Sequence, residues 1–148
     1  MKKLILFGIF FVVIFYFTDF SSILENKDES KRDNKISLGD CSFEIEIVSD
    51  DDSRRRGLSN RKSLCDECGM LFDFPKEDKR SFWMKDMSFP LDIIWLRDNK
   101  VVGIEKNVPE NFPDNLESPE EIDRVLEINA KKSEVCNIKK GSVLKYVD

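Results

Sequence analysis

Histidine is absent from all 148 residues. Without an imidazole the chain has no Ser-His or Cys-His nucleophile pair, no histidine general acid–base and no His-ligated catalytic zinc. A basic surface is lacking too. From Ser21 onward 22 basic residues stand against 28 acidic ones, a net charge of −6. Binding to a phosphate backbone depends on lysines and arginines that displace counterions, so an acidic domain without a basic stripe is not expected to hold nucleic acid. Internal repeats are missing as well, and the length suits one ordinary domain rather than two.

Phenylalanine is plentiful but unevenly placed. Six of the twelve (Phe7, Phe10, Phe11, Phe15, Phe17, Phe20) fall in the first twenty residues. There an unbroken apolar run from Leu4 to Phe17 follows Lys2 and Lys3. Fourteen helical residues at ~1.5 Å each cover about 21 Å, short of a ~30 Å hydrocarbon core. Two readings follow for residues 1–24: the apolar stretch of a cleavable export signal, or an uncleaved membrane anchor through residues 4–24. The string from Phe17 to Ser22 lacks the small residues a cleavage site wants, and no cysteine precedes Cys41 for a lipid-modified start. The anchor is the favoured reading. A short basic head before an apolar run is the export pattern, so the C-terminal domain is expected outside the cytoplasm, or secreted if the segment is cleaved. Residues 25–35, charged and polar, read as a flexible tether, and residues 36–148 as a single domain.

Within that domain Cys41 to Val48 alternates, with Phe43, Ile45 and Ile47 on one side and Glu44 and Glu46 on the other, the pattern of a half-buried strand. Asp50, Asp51, Asp52 and Ser53 offer caps for a short helix over Arg54 to Leu58. Further strands are expected at Met70–Phe74, stopped by Pro75, and at Ser81–Met84. A hairpin follows, Leu91–Leu96 with Val101–Val108 across the polar turn 97–100. Pro109 to Pro119 reads as loop. Arg124–Asn129 is a strand, Ala130–Asn137 a short helix and Val143–Val147 a closing strand. The fold class is mainly β (α+β): a compact barrel or jelly-roll-like sandwich of six or seven short strands with one or two short helices.

Several strings occur in an order that resembles a known family. They are Arg56-Gly57-Leu58 with Arg61, Gly69-Met70-Leu71-Phe72, and Phe82-Trp83-Met84-Lys85-Asp86 leading to Pro90-Leu91-Asp92-Ile93. Val125-Leu126-Glu127-Ile128-Asn129-Ala130 and Ile138-Lys139-Lys140-Gly141 follow. The chain resembles domain-of-unknown-function family number 192 from about Ile36 to Val147. The resemblance implies a small, often exported, β-dominated fold and no established reaction. Two positions depart from the family's usual pattern: Ser59 stands where it has Met, and Asp86-Met87 where it has Asn-Thr. The Cys65-Asp66-Glu67-Cys68 insert is also outside that pattern.

Four cysteines on an exported domain permit two disulfides in three pairings. Cys65 and Cys68 are near enough to pair in a turn, which would leave Cys41 with Cys136. A redox role for Cys65 and Cys68 is disfavoured, because Asp66 and Glu67 between them raise the thiol pKa. A four-cysteine zinc site would show two such pairs, so no metal or other cofactor is expected.

The segment from Phe82 to Asp92 is the most suggestive of a site. Arg61, Lys85, Asp86 and Asp92, walled by Trp83, would make a polar pocket of the kind that binds small molecules. The plainer alternative is a Lys85–Asp92 ion pair that fixes strand register. Asp86 and Asp92 as a catalytic carboxylate pair is disfavoured, since acidic residues are abundant and chance supplies many such pairs. No catalytic residue is therefore assigned. The expected function is a membrane-tethered extracytoplasmic binding or accessory module whose partner, small molecule or envelope protein, is not identified. The alternative is an enzyme acting on a carbohydrate or anionic small molecule through the Lys/Asp/Arg pocket. A third reading, a structural partner of an envelope protein, would need an exposed apolar patch, with Met87 and Phe89 as candidates.

Overall fold

The computed structural model describes residues 34–147. The apolar segment 1–24 and most of the tether 25–35 lie outside the described residues. Nine strands and two short helices follow in the order β1 Lys35–Leu38, β2 Cys41–Val48, α1 Asp51–Arg56, β3 Cys68–Asp78, β4 Ser81–Phe82, β5 Leu91–Arg97, β6 Lys100–Val108, β7 Leu116–Glu117, β8 Ile122–Asn129, α2 Lys132–Val135 and β9 Lys145–Tyr146. Seven of the strands form one sheet in the order β6-β5-β8-β3-β2-β1-β9, and β4 pairs with β7 in a separate ribbon. The class is mainly β, as the alternating pattern predicts.

The large sheet curls into a half-barrel. At one edge, the start of β6 exchanges backbone bonds with the segment leading into β9: Val101 N–H donates to Ser142 O at 2.9 Å, and Gly141 N–H donates to Val101 O at 2.8 Å. At the other edge β9 pairs antiparallel with β1. All ladder pairings of the sheet are antiparallel except β2 with β3, whose parallel pairing requires the crossover through α1.

Local sequence explains the joints. The β5–β6 hairpin turns through Asp98 and Asn99 with φ of 48° and 62°, the left-handed pair that a two-residue turn matching strand twist demands. Asp50 caps α1, its carboxylate accepting from Asp52 and Ser53 N–H groups, and its bonds to Ser53 hold its pKa below the ordinary carboxylate value. Pro75 does not stop β3. The strand runs on to Asp78, and the register with β8 shifts between Asp73 and Asp78, an irregular stretch where a residue lacking N–H costs no ladder bond.

Both faces of the sheet are buried. The face enclosed by the curl carries Ile36, Phe43, Leu71, Ile94, Leu126 and Ile128. The opposite face carries Met70, Phe72, Ile93, Trp95 and Val125, and is covered by Leu58, Met84 and the β4–β7 ribbon. Two buried sides account for the nearly continuous apolar run of β5. Met87 and Phe89 are half-buried against this second face.

The cysteines pair as Cys41–Cys136 and Cys65–Cys68, with Cα–Cα separations of 5.3 and 5.1 Å. The first ties the start of β2 to the end of α2. The second closes the turn just before β3.

Candidate functional site

A cleft of about 210 Å³ opens on the second face of the sheet, beside α1 and β4. That volume lies below the ~300–1,000 Å³ common for drug-sized ligands. Phe72 and Phe82 line its inner part, their rings packed edge to face at 4.9 Å. Trp83, Phe74, Met87 and Leu58 form walls, and Arg54, Arg55 and Arg56 of α1 border it.

Glu127 also lines this cleft. It sits mid-strand in β8, between Met70 of β3 and Ile93 of β5. Its side chain is 5% exposed, and among the described residues no donor or cation pairs with it. Burial alone pushes its pKa from 4.5 up to about 8. At neutral pH the inner cleft thus holds a protonated carboxyl, with one donor and free acceptor capacity, against an apolar background.

The family strings build the cleft's frame. Gly57 ends α1 with φ 49°, and a Cβ there would sit 3.3 Å from Phe72 Cζ, so glycine serves both the turn and the close approach. Leu58 is buried beneath it. Ser59 Oγ donates to Lys85 O at 3.0 Å, and Asn60 N–H donates to Asp86 O at 2.8 Å, clamping the segment after α1 to the segment after β4. Asp86 takes φ 58°, a left-handed conformation that Asn and Asp share. A backbone requirement therefore suffices to explain an Asn-to-Asp departure at that place.

The residues expected to form one polar pocket are dispersed. Trp83 lines the cleft, 47% exposed. Arg61 pairs with Glu46 at 2.7 Å on the half-exposed surface. Lys85 and Asp86 are exposed, and of these two segments only the backbone carbonyls engage the loop beyond α1. Asp92 is fully buried, with partners other than Lys85. Its Oδ1 accepts from Asn107 N–H at 2.8 Å and Lys131 N–H at 3.2 Å, and its Oδ2 from Ser133 N–H at 2.8 Å. Those three bonds join β6, the β8–α2 turn and α2 to the start of β5. Glu127 was not singled out by sequence reasoning. The available signal was a lone acid among Val125, Leu126 and Ile128 on a strand, where a partnerless charge is costly.

Among the described residues no group of three or more His, Cys, Asp or Glu is arranged to hold a metal ion. The model of family DUF192, described as an uncharacterised ACR, matches residues 34–146. The chain belongs to this family. Two solved structures are similar to this DUF192 domain. A candidate transcription regulator from Sinorhizobium meliloti 1021 is 28% identical with TM-score 0.71, over 75% of this chain and 91% of that one. A protein of unknown function from Novosphingobium aromaticivorans DSM 12444 is 28% identical with TM-score 0.72, over 76% and 84%. No curated protein matches the DUF192 chain.

Proposed function

We propose that the domain is a small-molecule binding module, tethered outside the cytoplasm by residues 4–24, and that its ligand enters the cleft above Glu127. The carrying observation is the unpartnered carboxyl at the cleft's inner end. Glu127 has no protein hydrogen-bond partner among the described residues and its carboxyl opens onto the cleft, so a ligand that completes its hydrogen bonding takes the place of cleft water. Aromatic walls with a few polar groups, here Glu127 and the arginines at the border, are the usual make-up of a small-ligand site. The apolar N-terminal run and the two disulfides support the exterior placement. One structural neighbour is described as a candidate transcription regulator. The net charge of −6 from Ser21 onward argues against a nucleic-acid role for this chain.

Intrinsic fluorescence of the full chain tests the ligand reading. Trp83 borders the cleft and Trp95 is buried, so a panel of small amphipathic metabolites should alter the emission of Trp83 alone. Trp83→Phe should remove the response. A carboxyl resonance of Glu127 titrating in the ordinary range near 4.5, with no compound bound, would overturn the proposal.

A second reading, an enzyme, is favoured by one observation. A carboxyl with pKa of about 8 is poised to give and take protons near neutrality. On this reading the proton carrier is Glu127, in place of a Lys/Asp/Arg pocket. Turnover of any compound that binds, abolished by Glu127→Gln while binding survives, would select it.

A further inference from the structure

Glu127 is the one acidic side chain of the cleft's lining, which otherwise holds aromatic and apolar groups, Ser59, Ser81 and arginines. Phe72 from β3, Phe82 from β4, Trp83, Met87 and Leu58 line the same cleft as Glu127. The remaining charged groups of the lining are the three arginines of α1. Two of them are engaged elsewhere. Arg54 donates to Asp73 O at 2.8 Å and pairs with Asp51 at 2.6 Å, and Arg55 faces Asp52 at 3.4 Å. With Asp50, Asp51 and Asp52 beside them, the arginines leave no large excess of positive charge at the mouth.

The cleft's aromatics already attract cations. Phe74 has Arg80 over its ring at 4.2 Å from the centroid and Arg54 at 5.2 Å. Trp83 offers the best cation-binding ring of the three aromatic types and is about half exposed. We infer that the cleft selects a small organic cation, an ammonium group on a short apolar body, seated between the Trp83 ring and the Glu127 carboxyl. The inference rests on the cleft being a ligand site and names the chemical class of its ligand.

The physical reason is that a buried cation needs a counter-charge, and Glu127 can supply one by releasing its proton. In the empty cleft the acid is mostly neutral at pH 7, since its pKa is about 8. A cation beside it stabilises the carboxylate, so binding is coupled to release of up to one proton. A neutral ligand behaves oppositely: it hydrogen-bonds the acid form and binds best at low pH.

Titration calorimetry of the full chain with choline chloride at fixed ionic strength reads this directly. Affinity is expected to rise about tenfold per pH unit up to about pH 8 and then level off. Glu127→Gln replaces a neutral acid by an amide of the same shape, so the fold should persist. The variant should bind choline at least about tenfold more weakly and lose the pH dependence. The neutral isostere of choline, with a tert-butyl group in place of trimethylammonium, should bind poorly. Choline affinity that is flat with pH, equalled by the isostere, or undetectable would overturn the cation assignment. If the isostere or another panel compound binds through Trp83 while choline does not, the small-molecule reading stands and the cation inference falls. If no compound binds, both fall.

Discussion

Asp92 and Glu127 are buried carboxyl groups on neighbouring strands, one register step apart and on opposite faces of the sheet. Asp92 lies opposite Ile128, and Glu127 opposite Ile93. Asp92 accepts three backbone N–H bonds, two of them from Asn107 and Lys131, residues in left-handed conformations. Glu127 accepts none among the described residues and faces a cleft. Burial alone therefore does not mark a functional acid. The partners do: where backbone donors saturate the carboxylate it is a structural bolt, and where none arrives the group is left for something from outside.

The largest expected effect sharpens this contrast through pH. The folded pKa of Glu127, about 8, lies above the ordinary 4.5. Its contribution to stability is therefore fully present below about pH 4.5 and is lost as pH rises through about 8, a change of roughly 4 kcal/mol. Urea denaturation from about pH 5 to about pH 8 should show that fall, and Glu127→Gln should flatten it. An unchanged slope in the variant would break the comparison, because the acid would then be no worse placed than Asp92.

Next in size, Asp92→Ala should cost about 3 kcal/mol at neutral pH, since it orphans three buried N–H donors at once. Loss of less than about 1 kcal/mol would mean that water replaces the carboxylate. A smaller effect concerns coupling. Cys136 closes α2, the helix whose Ser133 N–H reaches Asp92, so the Cys41→Ser/Cys136→Ser variant should already weaken that bond. A double-mutant cycle with Asp92→Ala should then give a coupling of about 1 kcal/mol, against near zero with Glu127→Gln. Smallest of all, Lys85→Ala should change stability by less than about 0.5 kcal/mol, as for other exposed charges without a tight partner.

Much of this architecture was legible in the sequence. The alternation of β2 as far as Glu46 and the β5–β6 hairpin with its Asp-Asn turn follow from local pattern. Ile47, however, is exposed and Val48 buried where the alternation expects the reverse, and the sequence leaves three cysteine pairings open. Two strands escaped. β1 is four residues long and abuts a charged tether, and β7 is a two-residue ribbon inside a proline-rich stretch, so neither shows a period. The site was less legible, for a geometric reason. Lys85, Asp86 and Asp92 are near in sequence to a suggestive aromatic, but the turn at Asp86 and the start of β5 at Leu91 send them to separate places, while Arg61 pairs with Glu46. Glu127 reaches the cleft from a strand more than thirty residues away, where only an acid amid Val125, Leu126 and Ile128 gives notice of it.

The seam between β1 and β9 bears on how the domain is made. β1 is the first described strand to leave the ribosome, yet its outer edge finds its partner only when residues 145 and 146 have emerged. Closing so long a loop is entropically slow, and folds dominated by such distant pairings reach their native state late. Until then β1 presents an open edge to any neighbouring chain. A nascent copy therefore has to be kept from its siblings until synthesis has passed Tyr146, which makes this domain a natural client of a holding chaperone rather than one that matures as it is translated.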